Sequence, residues 1–263
     1  AERSNQYPPM VGVPELRDAI AAFYARRQGL SLSREQVIVT SGATEAVAAA
    51  LLALVQPGDE VIVFEPAYDA YAPMIRRCGA TPVFVDSLRD TWQIDPQDVV
   101  RNITPRTHAI MPVHLYGQSC DMDALMAIAK EHRLFVIEDC AEGFGTMYKG
   151  RHVGSFGDIS TFSFFGNKTM TTGEGGMVVT SDKTLAERAR HFKGQGLAAH
   201  REYWHDVIGY NYRMTNIAAA IGLAQLERVE QFIARKRQIA HRYADLLRTA
   251  PVEIHAEATD TVH

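Results

Sequence analysis

Ser160-Thr-Phe-Ser-Phe-Phe-Gly-Asn-Lys168-Thr-Met-Thr-Thr-Gly-Glu-Gly-Gly-Met-Val-Val-Thr180 sets a single lysine in a polar, glycine-bearing loop between two apolar runs. The run before it, Ile159 to Phe165, alternates and is aromatic enough for a buried strand; Gly176 to Thr180 reads as the return strand. Most lysines are solvated surface groups. Lys168 is instead presented from a tight connection at the end of a sheet. An amine held there, partly desolvated, can act as a nucleophile toward a carbonyl.

Working outward, strand and helix signals alternate. Short apolar strands are predicted at 37–40, 60–64, 81–85, 108–113, 134–137, 159–165 and 176–180. Helices are predicted at 13–27, opening within 41–47, and at 71–78, 96–103, 121–132 and 185–192; 216–249 reads as one long helix, broken or continuous. This alternation predicts an α/β fold with a mainly parallel seven-stranded sheet and helices on both faces. In such sheets ligands sit at the carboxyl ends of the strands.

Three further features fall at that edge. Strand 37–40 runs into Ser41-Gly-Ala-Thr-Glu-Ala-Val47, a small-residue turn opening a helix. Free N–H groups and the helix dipole there suit a phosphate, although Ser41 or Thr44 could simply cap the helix. Tyr68 follows strand 60–64, and Asp139 ends Leu134-Phe-Val-Ile-Glu-Asp139. A phosphate cradle, a flat aromatic, a carboxylate and an amine are what pyridoxal 5'-phosphate (PLP) requires.

Composition narrows the alternatives. The 263 residues are 46% hydrophobic and 22% charged, ordinary values for a globular core, and a net charge of -4 gives no nucleic-acid footprint. Cys78, Cys120 and Cys140 form no CxxC pair, which points to free thiols in a reducing compartment. The first residues contain no signal-peptide core, and the aliphatic run 46–55 is half of the ~20 residues a bilayer span needs, so a cytoplasmic protein off the membrane is expected. Gly194-Gln-Gly-Leu-Ala-Ala199 matches G-x-G-x-x-A but follows a helix, so no dinucleotide site is read there. His191, His200 and His205 lack ligand spacing, and no metal is expected.

Four segments carry a resemblance: Phe135-Val-Ile-Glu-Asp-Cys-Ala-Glu-Gly-Phe-Gly145, Gly157 to Lys168, Thr172-Gly-Glu-Gly-Gly176 and Gly209-Tyr-Asn-Tyr-Arg-Met214. They resemble the DegT-type sugar-nucleotide aminotransferases of PLP fold type I. Lys193-Gly-Gln-Gly-Leu197 and His200 to Ile208 narrow the likeness to the GDP-perosamine synthase branch. By contrast, Asn5 to Arg17, Val39 to Ala46 and Phe64 to Met74 resemble class I/II amino-acid aminotransferases of the kynurenine-aminotransferase type. The expectation is therefore a chimera with a seam near 76–80. Residues 1–78 would be the class I/II-like part of the large domain, 79–249 its DegT-like remainder, and 250–263 the start of a small domain that is absent.

Residue by residue, the resemblance implies that Lys168 binds the aldehyde of PLP and later carries a proton, and that Asp139 holds the pyridine nitrogen. Glu142 would lie near the ring hydroxyl and Tyr68 against the ring; Gly42, Ala43, Thr44 and Ser163 would hold the phosphate. Asn211, and Tyr7 in the class I pattern, would reach into a neighbouring subunit's site, implying a homodimer. The implied reaction moves an amino group from glutamate to a 4-keto-6-deoxy sugar nucleotide. An amino-acid aminotransferase and a PLP-binding scaffold with little turnover stay open as alternatives.

Overall fold

The strand at residues 135–139 sits at the middle of the sheet because nothing in Phe135-Val-Ile-Glu-Asp139 faces water except part of its first residue. In the computed structural model, which describes residues 9–28, 30–201, 203–255, 257–258 and 260–262, this strand is flanked by three on each side. The strands in chain order are β1 (Val37–Thr40), β2 (Glu60–Glu65), β3 (Thr81–Asp86), β4 (Thr107–Ile110), β5 (Phe135–Asp139), β6 (Met147–Tyr148), β7 (Arg151–His152), β8 (Ile159–Ser163), β9 (Gly176–Val179) and β10 (Thr261–Val262). Seven of them form one sheet in the order β1-β9-β8-β5-β4-β2-β3. From β8 to β3 every pairing is parallel; β9 runs antiparallel to both β8 and β1. The expected mainly parallel seven-stranded sheet is what forms.

Burial follows position in the sheet. β1, β8 and β9 are buried at every residue, whereas the edge strand β3 is largely exposed and accommodates Pro82, whose missing N–H costs least at an edge. The helices are α1 (Pro14–Gln28), α2 (Ala43–Leu54), α3 (Tyr71–Arg77), α4 (Pro96–Asn102), α5 (Met122–His132), α6 (Lys183–Lys193), α7 (Asn216–Glu227) and α8 (Val229–Leu247). α2 is apolar almost all round and buried from Ala46 to Leu51, since it packs against β8 and β9 on one side and α6 on the other. Aspartates cap α4, α5 and α6: Asp95 accepts from Gln97 N, Asp121 from Ala124 N, and Asp182 from Thr184 and Leu185 N. The long C-terminal helix is broken at Arg228, which is the C-cap of α7 and the N-cap of α8.

Two features go beyond the sequence-based expectation. β6 and β7 form a hairpin whose turn residues Lys149 and Gly150 both have positive φ, the geometry of a tight two-residue turn. β10 then adds to β6, with Thr261 opposite Tyr148, so the segment read as the start of another domain pairs back onto this one. All three cysteines are free. Among the described residues no helix is long and apolar enough to cross a membrane.

Candidate active site

Residues at or just beyond the carboxyl ends of β1, β2, β4, β5 and β8 contribute to one cavity of about 510 Å³. Gly42, Ala43, Thr44, Tyr68, Asp139, Glu142, Ser163 and Lys168 all line it. The topology explains the convergence: β1, β2, β5 and β8 all end at this side, and the β8–β9 connection folds across it.

Lys168 is fixed by its backbone, whose N–H donates to Phe165 O at 3.0 Å, while Thr172 N donates to Phe164 O at 2.8 Å and closes the loop. Its side chain is one-fifth exposed, and Nζ lies 3.1 Å from Glu142 Oε1. The amine is therefore covered, as expected, but paired. The second oxygen of Glu142 accepts from the backbone N–H of Tyr116 at 2.7 Å, which holds the carboxylate toward the lysine.

Asp139 is buried at the end of β5. Ala141 N donates to its Oδ1 at 2.7 Å and the Tyr71 hydroxyl to its Oδ2 at 2.7 Å. Burial raises its pKa above the usual carboxylate value; the donors Tyr71 and Ala141, with the charge of Lys168, oppose that rise without cancelling it. One residue earlier, Glu138 points to the other face of the strand and has the opposite shift. It is wholly buried, which works against ionisation, but His114 Nε2 at 3.1 Å and the N–H groups of Gly154, Phe156 and Gly157 at 2.5–2.7 Å outweigh burial and lower its pKa. His114, Glu138 and Cys140 are close enough to share a metal, yet Glu138's oxygens are committed to these donors and His114 Nδ1 accepts from Cys120 N.

At the start of α2 the cap is Gly42, which carries no side chain, so neither Ser41 nor Thr44 serves as the N-cap. Glu45 folds its carboxylate back over Gly42, where a Cβ would collide with it. Gly176 of β9 touches the backbone of Gly42 so closely that its own Cβ would lie 2.7 Å from Gly42 C and O. The glycine pair of the opening stretch thus serves to bring the return strand against the helix N-terminus. Tyr68 keeps 54% of its surface exposed, meets Tyr71 edge-on at 5.4 Å, and places its hydroxyl 3.3 Å from Thr44 Oγ1. Ser163 Oγ accepts from Phe165 N at 3.3 Å and retains its own hydrogen to donate.

Asn211 and Tyr7 are expected to serve a neighbouring subunit's site rather than this cavity. Asn211 is exposed outside it, with Oδ1 accepting from Arg213 Nε at 2.7 Å, although Ser41 N donates to Tyr212 O and ties that segment to the loop before α2. Tyr7 lies outside the described residues. Sequence reasoning in turn missed Tyr71, which reads as an ordinary helix-face aromatic, and Glu138, whose signal was an acid inside an otherwise apolar strand. PLP matches the donor set that is present: a covered amine, a buried carboxylate with lone pairs to spare, an open aromatic face and unpaired N–H groups at a helix start, in a cavity large enough for it.

Comparison with known proteins agrees with this geometry. Over 224 residues, 85% of this chain and 61% of the relative, it is 61% identical to GDP-perosamine synthase of Escherichia coli O157:H7. The Vibrio cholerae GDP-perosamine synthase is 47% identical over 233 residues, 88% of this chain and 64% of that one. The chain thus spans about three fifths of the length of the curated relatives it matches. Among solved structures, DesV of S. venezuelae, in complex with a ketimine intermediate, superimposes with a TM-score of 0.87 at 35% identity, over 98% of this chain and 68% of that one. The expected seam receives no support. The sequence profile of one family matches residues 22–263, starting well before 76–80, so the class I/II-like stretches 39–46 and 64–74 fall inside its match. Strand, phosphate turn and helix form a device that unrelated branches of one fold build from the same small residues, and short likenesses there carry little ancestry. The chain belongs to the DegT/DnrJ/EryC1/StrS aminotransferase family.

Proposed function

We propose that the protein binds PLP and acts as an aminotransferase, taking the amino group of glutamate and delivering it to the keto carbon of a 4-keto-6-deoxy sugar nucleotide. The observation that carries this reading is the convergence of Lys168, Asp139, Tyr68 and the start of α2 on one cavity. Family membership and the likeness to GDP-perosamine synthases support the choice of substrate class.

When bound, PLP supplies an aldehyde that exchanges amines and a ring that accepts electrons. Lys168 would provide the amine that holds that aldehyde, and its amine, lining the cavity, would carry the proton between the donor's and the acceptor's carbons. Glu142, 3.1 Å away, holds the lysine ammonium in place between these events. Asp139 would hold the pyridine nitrogen of the bound group and stabilise a proton on that nitrogen. Tyr68 covers one face of the ring and excludes water from it. The N–H groups of Ala43 and Thr44 with the hydroxyls of Thr44 and Ser163 would hold the phosphate. Asn211 and Tyr7 serve a neighbouring subunit's site in a homodimer under this reading.

The test is direct. The protein is loaded with PLP, reduced with borohydride and digested, and the labelled peptide is sequenced; the label belongs on Lys168. Glutamate followed by a GDP-linked 4-keto-6-deoxy sugar should yield the amino sugar. Label on another lysine, or amine transfer to a 2-oxo acid and not to the sugar, would overturn the assignment of the residue or of the substrate, respectively.

A further inference from the structure

A second cavity, of about 300 Å³, lies on the other side of the Lys168–Glu142 pair. The two cavities share Glu142, Asn167 and Lys168, but Asp139 and Tyr68 line only the first. A molecule in the second cavity therefore meets Lys168 from the side that the ring-binding groups leave open. Its far wall is one face of α8: Ile233, Lys236, Arg237 and Ala240 fall at i, i+3, i+4 and i+7.

The charges on that wall do not balance. Three cations, Lys168, Lys236 and Arg237, face one carboxylate, Glu142. Glu142 is engaged by Lys168 and by Tyr116 N, and Arg237 is bound by Glu257 at 2.6 and 3.1 Å. Lys236 has no carboxylate within ion-pair distance among the described residues. Partial burial and the neighbouring Lys168 lower its pKa, with Glu142 opposing, so its ammonium gains from any anion that enters.

Building on the aminotransferase reading above, we propose that this second cavity receives an anionic group of a substrate, with Lys236 as the ammonium that binds it and orients the reacting carbon toward Lys168. The ligand chemistry is a cluster of anionic oxygens, either the distal carboxylate of the amino donor or the diphosphate of the sugar nucleotide. Both are required by the proposed reaction, and both need a fixed cation to set their register.

Binding to the PLP-loaded protein separates the two sources. Glutarate, a dicarboxylate without an amine, and GDP are each titrated by calorimetry into the parent, K236M and K236R. The proposal expects K236M to weaken at least one of them about tenfold or more, K236R to restore most of that loss, and added salt to shrink the difference. Weakening of glutarate alone assigns the site to the donor carboxylate; weakening of GDP assigns it to the diphosphate. Unchanged affinity for both in K236M, or no binding of either by the parent, overturns the inference while borohydride labelling of Lys168 leaves the PLP reading standing. Failure of that labelling in the parent overturns the reading and the inference together.

Discussion

The hydroxyl of Tyr71 donates to Asp139 Oδ2 across 2.7 Å in a fully buried setting, joining the first turn of α3 to the last residue of β5. It opposes the burial that raises the Asp139 pKa. Y71F removes that donor and leaves the ring packing intact. The Asp139 pKa should climb further, so the pH at which PLP-loaded protein changes its visible spectrum shifts. Stability should fall by about 1.5–3 kcal/mol where Asp139 is ionised, since hydrogen bonds to charged groups carry about that much. The loss should vanish as pH drops through the Asp139 pKa, because the protonated acid no longer needs the donor. Urea unfolding at several pH values checks the sign; a deficit independent of pH would assign Tyr71 to packing alone.

Glu138 carries the opposite pKa shift to Asp139. Its folded pKa is depressed by His114 and three backbone donors despite complete burial. Such a group contributes stability above its unfolded pKa of about 4.3, and that contribution is lost as pH falls through the lower folded value. E138Q replaces an all-acceptor carboxylate with an amide that places N–H groups against N–H groups. At pH 7 a loss of about 3–5 kcal/mol is expected, the scale for breaking a buried ionic network. Acid unfolding of the variant should be shallower than that of the parent over the same range. Equal steepness in both would show that Glu138 does not drive the acid transition.

How much of this was legible in the chain depends on what carried the signal. Lys168, Asp139 and Tyr68 were readable because each follows an apolar run whose period fixes where the strand ends, and a parallel sheet gathers strand ends by construction. Tyr71 was not, since its partner is 68 residues away and only the order β5-β4-β2 in the sheet, with α3 following β2, brings them together. Lys236 was hidden for the same reason: it is one of several charges on an amphipathic helix, and only the path of α8 past the β8–β9 loop distinguishes it. The two-residue strands β6 and β7 are too short to show any period. The expected seam arose where motif likeness was strongest over the fewest residues.

Gly176 is a packing prediction with a chemical readout. A Cβ there would lie 2.7 Å from Gly42 C and Gly42 O, and from Phe162 O, all three backbone atoms that no side-chain rotation can move aside. G176A should push β9 away from the start of α2. A destabilisation of about 1–3 kcal/mol is expected from overpacking, together with weaker retention of PLP, because the N–H groups of Ala43 and Thr44 move with Gly42. Dialysis against buffer and residual borohydride-fixed label report the second effect. G166A, at a glycine with open space around it, is the control.

Lys193 ends α6 with its side chain wholly buried, and its ammonium donates to Val39 O at 2.7 Å and to Met10 O. Burial is the main cause that lowers its pKa to about 7, with the charges of Arg17, Arg213 and Arg190 adding to it. In the unfolded chain the amine titrates near 10.4. Between those values the unfolded state binds more protons than the folded one, so this group makes the protein more stable as pH rises from about 7 to about 10.4 and contributes no slope below 7. K193M keeps the length of the side chain and removes the titration. Its stability between pH 7 and 10 should be flatter than the parent's, while the loss of two hydrogen bonds lowers it most at the alkaline end, where the parent gains. Denaturant unfolding across that window decides the matter: a parent curve that falls with rising pH, or a variant with the parent's slope, would show that Lys193 stays charged beneath the sheet and that the two carbonyls suffice to hold it so.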